Sequence, residues 1–282
     1  MNEIRIKINA ENPVEYLACC GIFEIATRID KNAEASWTKF APTEFVLTTI
    51  CAEEDLTHRI VQTFIDKNHW NFKNKHPKSK EVVSIGVDFS HNEKPIHFDL
   101  DWWYDSLDRN GKIKDRGAWK MYAGQQKAEK IAVDMIEFCR PLADAASANL
   151  QNLFYASAEM SGRFGFDPRS SRNALDVGYS PNDLNLPIAT YPFLELLAMF
   201  GLQNFFPHRT SQSGGSNSCR GWHRRDYKTF FDYALWHEPL LISLARMFAS
   251  GFDEVPEGIS SFSSIKAKRK DYANLSISIP KN

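Results

Sequence analysis

Residues Glu3-Ile4-Arg5-Ile6-Lys7-Ile8 alternate charge with isoleucine and lead into Asn12-Pro13-Val14-Glu15, the makings of a helix start. A period of two places the three isoleucines on one face of a half-buried strand. Asn12 is an N-cap residue, Pro13 suits the first helical position, and Glu15 supplies the acid of a capping box. Val14, Leu17, Ile22, Ile25 and Ile29 recur at helical spacing, so a helix is expected to run to about Arg28 and to bury that stripe against the strand. A strand and a helix that each carry one apolar face must pack on one another, which sets the chain toward a mixed α+β fold.

Further strands are expected at 44–50, 82–89 and 95–101, the last alternating Ile96, Phe98 and Leu100 with His97, Asp99 and Asp101. Helices are expected over 120–138, stopped before Pro141, and over 144–155. Residues 191–205 are apolar nearly all round, the pattern of a fully buried central helix. Residues 161–183 and 211–217 are rich in Gly, Ser, Asn and charge and read as loops. Leu275, Ile277 and Ile279 alternate with polar residues and predict a closing strand. The resulting expectation is a mixed sheet with packed helices in one unit of two lobes, a β-rich 1–110 and a helical, loop-rich 111–282.

The chain has 282 residues, 43% hydrophobic and 24% charged, which excludes disorder and low-complexity architectures. It contains no run of about 18 uncharged apolar residues and no apolar signal core, so a cytoplasmic protein with no membrane segment is expected. Cys19, Cys20, Cys51, Cys139 and Cys219 lack paired zinc-site spacing and read as packing residues. The net charge of −1 excludes a polyelectrolyte binder, yet the basic residues are unevenly placed. Lysines crowd 67–80, seven basic residues fall in 109–130, and Arg209, Arg220, Arg224, Arg225 and Lys228 stand in 203–230 against Asp226 alone. Each run taken singly is also what a solvated loop looks like.

Catalytic chemistry finds little support. His97, Asp99 and Asp101 share one strand face and, with His237, could hold a divalent metal for phosphodiester hydrolysis. Any half-exposed strand shows the same alternation, and neither a metalloprotease nor a nucleophile-elbow or phosphate-loop motif occurs. No catalytic residue, metal or cofactor is therefore expected.

Nucleic-acid contact fits better. The segment 163–173 combines Arg163, Arg169, Arg172 and Asn173 with Phe164 and Phe166, the residue types used for phosphate clamping, base reading and base stacking. The competing reading is that Asp167 and Asp176 pair with these arginines and brace a long loop. His223 to Lys228, with Arg209 nearby, offers a second positive site, and Lys120 with Gln125 and Gln126 a third. Trp102, Trp103 and Trp119 could alternatively dock protein partners, although tryptophans mostly fill cores.

Several segments together resemble a known family. They are Asn12-Pro13 through Leu17-Ala18-Cys19-Cys20-Gly21-Ile22-Phe23-Glu24-Ile25-Ala26, Leu100-Asp101-Trp102-Trp103, residues 119–126 with Ala123-Gly124-Gln125-Gln126, and Phe166-Asp167 through Asn173-Ala174-Leu175-Asp176-Val177-Gly178-Tyr179-Ser180-Pro181. They resemble the large-subunit-like CRISPR-associated proteins of type I-U (I-G) systems, and the likeness extends over residues 3 to about 240. The resemblance implies a non-enzymatic subunit of a Cascade surveillance complex in antiviral defence. Such a subunit would bind crRNA and target DNA beside other Cascade subunits, the backbone and crRNA-end-binding ones, help recognise the PAM, and stabilise the R-loop for a separate helicase-nuclease. Guide pairing then supplies sequence specificity, and the protein needs only short duplex readout and backbone contacts. On this expectation Arg163, Arg169, Arg172 and Asn173 approach target DNA while Arg224, Arg225 and Lys228 hold backbone. Contact with the crRNA 5′ handle is the close alternative.

Overall fold

In the computed structural model the opening alternation folds as β1 (Asn2–Lys7), with Ile4 and Ile6 buried and Glu3, Arg5 and Lys7 exposed. The structure describes residues 1–74, 82–91, 94–100, 127–160, 162–170, 189–205, 207–209, 217–219, 221–225, 228–249, 259–269 and 272–281. β1 pairs antiparallel with β3 (Glu44–Thr49), setting Ile6 opposite Phe45 and Ile4 opposite Leu47. On the exposed face Arg5 bridges Glu3 and Glu44 at 2.8 and 3.1 Å. β2 (Glu34–Trp37) and β13 (Leu240–Leu241) complete a four-stranded sheet in the order β1-β3-β2-β13.

Helix α1 (Pro13–Ile29) begins as its cap predicts, with Asn12 accepting from the Val14 amide at 3.3 Å. Glu15 reaches back, but to the Asn9 amide and the Asn12 side-chain amide, at 2.8 and 3.0 Å, rather than to the cap backbone. The one-sided stripe is an underestimate: every residue from Pro13 to Thr27 is buried, Cys19 and Cys20 included. The reason lies far along the chain. The helix spanning Pro192–Gly201, completely buried as its composition predicts, crosses α1 so closely that Gly21 and Gly201 lie at the contact.

Around this helix pair stand α2 (Glu53–Ile65), α3 (Ala128–Cys139), and an antiparallel sheet of β4 (Trp70–Asn74), β5 (Val82–His91) and β6 (Lys94–Leu100). Phe200 of the central helix meets the rings of Phe64, Trp70, Phe89 and Phe98 at centroid distances of 5.3 to 6.2 Å. The helix expected over 144–155 is two single turns, α4 (Ala143–Ala146) and α5 (Leu150–Leu153). Asn149 breaks it by adopting an extended backbone and capping the second turn, accepting from the Asn152 amide at 2.9 Å. The central helix is accordingly α6 (Pro192–Gly201), and the last helix is α7 (Ile242–Ala249).

The remaining sheet joins β11 (Trp222–Arg225), β12 (Lys228–Leu235), β14 (Ser260–Arg269) and β15 (Tyr272–Leu275) in that order, with β16 (Ile279–Lys281) also on β14. The single closing strand expected at the C-terminus is thus divided. Leu275 is buried, whereas Ile277 and Ile279 are exposed, because Ser276 turns aside to accept from the Ile265 amide and Ser278 donates its amide to Glu11. Short strand pairs at β7 (Ala158–Glu159) with β8 (Ala189–Thr190), and at β9 (Pro207–Arg209) with β10 (Asn217–Cys219), complete the described strands.

The fold class is α+β, with antiparallel sheets and packed helices. The C-terminal part, expected to be helical and loop-rich, holds a five-stranded sheet. One hydrophobic core draws on residues from Ile4 to Leu275, and β13 pairs with β2, so the core cuts across the expected lobe boundary at 110/111. Among the described residues no helix is long and apolar enough to cross a membrane.

Candidate nucleic-acid interface

The arginine segment folds around buried carboxylates. Gly165, at φ 82°, takes a left-handed turn and its carbonyl accepts from the Leu275 amide at 3.0 Å, tying the segment to β15. Phe164 and Phe166, expected to stack on bases, are buried at 4% and 0% exposure with ring centroids 6.0 Å apart. Asp167 is fully buried and clasps Arg169: Nε lies 3.0 and 3.1 Å from its two oxygens and Nη2 2.8 Å from Oδ2, while Oδ1 also accepts the Arg169 amide. Glu15 lies 3.5 Å from the same guanidinium, which stacks 3.9 Å over the Tyr191 ring.

Arg169, expected at the DNA, is paired within the protein through Asp167, as the bracing reading has it, and keeps 29% of its side chain exposed. Arg163 is partly buried and its charge acts on Glu195. Asp176, Arg172 and Asn173 lie outside the described residues, as do Lys120, Gln125, Gln126 and the tryptophans at 102, 103 and 119.

Glu195 of α6 closes this cluster. Its Oε1 accepts from the Asp167 amide at 3.0 Å, and Oε2 is buried with no hydrogen-bond partner among the described residues. Burial, then the Asp167 charge, pushes its carboxyl up to about 7, against the opposing pull of Arg163. Burial likewise raises Glu15.

A folded-state value above the unfolded 4.5 means that the native protein holds a proton the unfolded chain has released. The stability from Glu195 is therefore complete below pH 4.5 and is lost as pH rises toward about 7. Glu195→Gln keeps the acceptor for the Asp167 amide and removes the ionisation. We expect its denaturant midpoint to fall less than wild type between about pH 5 and pH 8, and to equal or exceed wild type at the upper end. An unchanged slope would show that the carboxyl ionises without cost in the fold.

The second positive site is larger than the sequence alone suggests. β11 and β12 form a hairpin whose register sets Arg225 opposite Lys228 and Arg224 opposite Thr229. β12 continues onto β14, with Thr229 opposite Lys266, and β14 turns into β15 through Lys268 and Arg269. Both hairpin ends thus lie at one end of the sheet, where the register places Arg225, Lys228 and Arg269 on one face and Arg224, Lys266 and Lys268 on the other. Lys228 is exposed, and the Lys266 ammonium sits 5.5 Å over the Trp222 ring. Lys266, Lys268 and Arg269 escape a sequence reading because some forty residues separate them from the first hairpin and only the β12–β14 register joins them. The run Lys266 to Lys270 is the available signal. Arg209 lies in β9, in a separate two-stranded sheet.

The alternative metal site on β6 is also legible. His97 Nδ1 lies 2.6 Å from Asp88 and Nε2 3.3 Å from Asp99, whose same oxygen is 3.3 Å from the Lys73 ammonium. Both ring nitrogens are engaged by carboxylates, and the hydrogen bond to Asp88 chiefly raises the imidazole above its usual range. Among the described residues no group of three His, Cys, Asp or Glu side chains has metal-holding geometry, and Asp101 lies outside them. His237 is elsewhere, with Nδ1 3.1 Å from the Trp37 carbonyl.

Comparison of the chain with family models, with curated proteins and with solved structures finds no match in any of the three.

Proposed function

We propose that this chain is a non-catalytic, nucleic-acid-contacting subunit of a crRNA-guided surveillance complex of the type I-U/I-G kind. It contacts target DNA near the PAM and stabilises the R-loop, while a separate helicase-nuclease cuts. The observation that carries nucleic-acid contact is the convergence of two hairpins from distant parts of the chain on one basic sheet end. Clustering cations on one edge of a molecule whose net charge is −1 is the electrostatic footprint of a local polyanion site. The surveillance complex as the setting rests on the sequence resemblance. Within it Arg224, Arg225 and Lys228, with Lys268 and Arg269, hold backbone, and Arg163, Arg172 and Asn173 approach the target; a cytoplasmic location follows from that role.

The test is reconstitution. Co-expression with the neighbouring subunits and a guide RNA is expected to yield one co-purifying particle that binds target DNA. Replacing Lys228 and Lys268 by alanine is expected to weaken every target alike and to lower the slope of log affinity against log salt by about one for each phosphate-binding lysine removed. Failure to enter any guide-containing particle would overturn the setting, and an unchanged salt slope would overturn the phosphate grip.

A further inference from the structure

The basic sheet end is bordered by an aromatic pair that phosphate binding alone does not use. His223 and Phe230 are cross-strand neighbours in β11 and β12, and their rings lie nearly parallel, 9° apart with centroids at 5.3 Å. The register continues the row to Ile265, which like Phe230 is only partly buried. His223 retains 35% side-chain exposure, and its Nδ1 lies 3.4 Å from Asp232, a buried carboxylate that also takes Ser263 Oγ at 2.6 Å and the Lys281 ammonium. The imidazole is thus held in orientation from the side, by a carboxylate two residues from Phe230 on the same face, while 35% of its side chain stays exposed.

Toward the hairpin ends the next row on this side of the sheet pairs Arg225 with the exposed Lys228. Two residues along a strand span about 6.7 Å, so a cation stands one row from the rings, the reach between a base and its own phosphate.

We infer that the His223–Phe230 pair is a stacking platform for a single-stranded stretch of nucleic acid, with the adjacent cationic row gripping its backbone. The inference rests on the nucleic-acid reading above and adds the strandedness of the ligand. Duplex bases keep their faces against one another and cannot lie on a protein ring, whereas an unpaired base presents a π-face to any aromatic surface. Stacking of this kind tolerates any sequence, consistent with a subunit that leaves sequence reading to a guide.

The experiment uses the full chain and labelled oligo(dT) and oligo(U) of about 15 nucleotides, with a duplex of the same length, read by fluorescence anisotropy. Wild type is expected to bind the single strands more tightly than the duplex. Phe230→Leu keeps an apolar side chain while removing the π-face, and is expected to lose about tenfold in single-strand affinity and nothing on the duplex. Phe230→Tyr is expected to retain wild-type binding, and thermal melts of both variants establish that they are folded. A folded Phe230→Leu that binds oligo(dT) and oligo(U) as wild type does overturns the platform, and if Lys228→Ala still weakens all three probes, the basic site survives it. Tighter binding of wild type to the duplex also overturns the platform. A preference for oligo(dT) or for oligo(U) assigns the strand as DNA or RNA, and either supports it. No binding to any probe by a chain that still assembles with guide RNA removes the platform and leaves the complex standing.

Discussion

A Gly201→Ala variant is expected to lose about 3 kcal/mol or more of folding stability, a large share of the roughly 5–15 kcal/mol that holds a domain together. A Cβ built on Gly201 would stand 1.8 Å from the Leu17 carbonyl oxygen, and one on Gly21 would stand 2.1 Å from that of Leu197. Both obstacles are helix backbone, which moves only if α1 and α6 part. Those helices form the middle of the core, so separation loosens Phe200 from its ring of aromatics as well. Gly86→Ala is the control: its Cβ would meet the His97 ring at 2.9 Å, but that ring is half exposed and can swing outward, for a cost of at most about 1 kcal/mol. Denaturant unfolding of the two variants measures the contrast. Equal losses would show that the helix crossing relaxes as easily as a surface ring.

The same helix pair shows where sequence is a sufficient guide and where it is not. The Asn12 cap, the alternation of β1 and the apolar run of α6 are local facts, settled by period and capping chemistry, and each folds as expected. That α1 is buried all round depends on a helix some 180 residues later, which no window on α1 contains. The basic site divides in the same way. The cations of β11–β12 stand out in sequence, whereas those of β14–β15 join them only through the β12–β14 register. The segment at 163–170 is ambiguous for a different reason: arginine, phenylalanine and aspartate in one stretch spell either a nucleic-acid loop or a buried ion pair, and composition does not separate them. The separating signal is Glu195, a lone carboxylate between Leu194 and Leu196 in an apolar run, which marks a polar network inside the core.

That network makes Arg169→Ala the most informative single substitution in this segment. The guanidinium, with 29% of its side chain exposed, is paired with the fully buried Asp167 carboxylate. Removing one member of such a pair takes a two-pronged countercharge from a fully buried carboxylate, and we expect a loss of about 3 kcal/mol. Arg169→Met combined with Asp167→Asn removes both charges, keeps an acceptor for the Arg169 amide, and is expected to recover much of that loss. The double substitution matters because a DNA-reading arginine predicts the opposite pattern. A reader's loss leaves unfolding unchanged and alters binding by about 1–3 kcal/mol at one position of the flanking motif. A brace's loss lowers stability first, and any fall in DNA affinity recovers with the fold in the double variant. A stable Arg169→Ala protein with a changed flanking-motif preference would return this arginine to the nucleic acid. A destabilised one rescued by Asp167→Asn assigns this arginine to the brace.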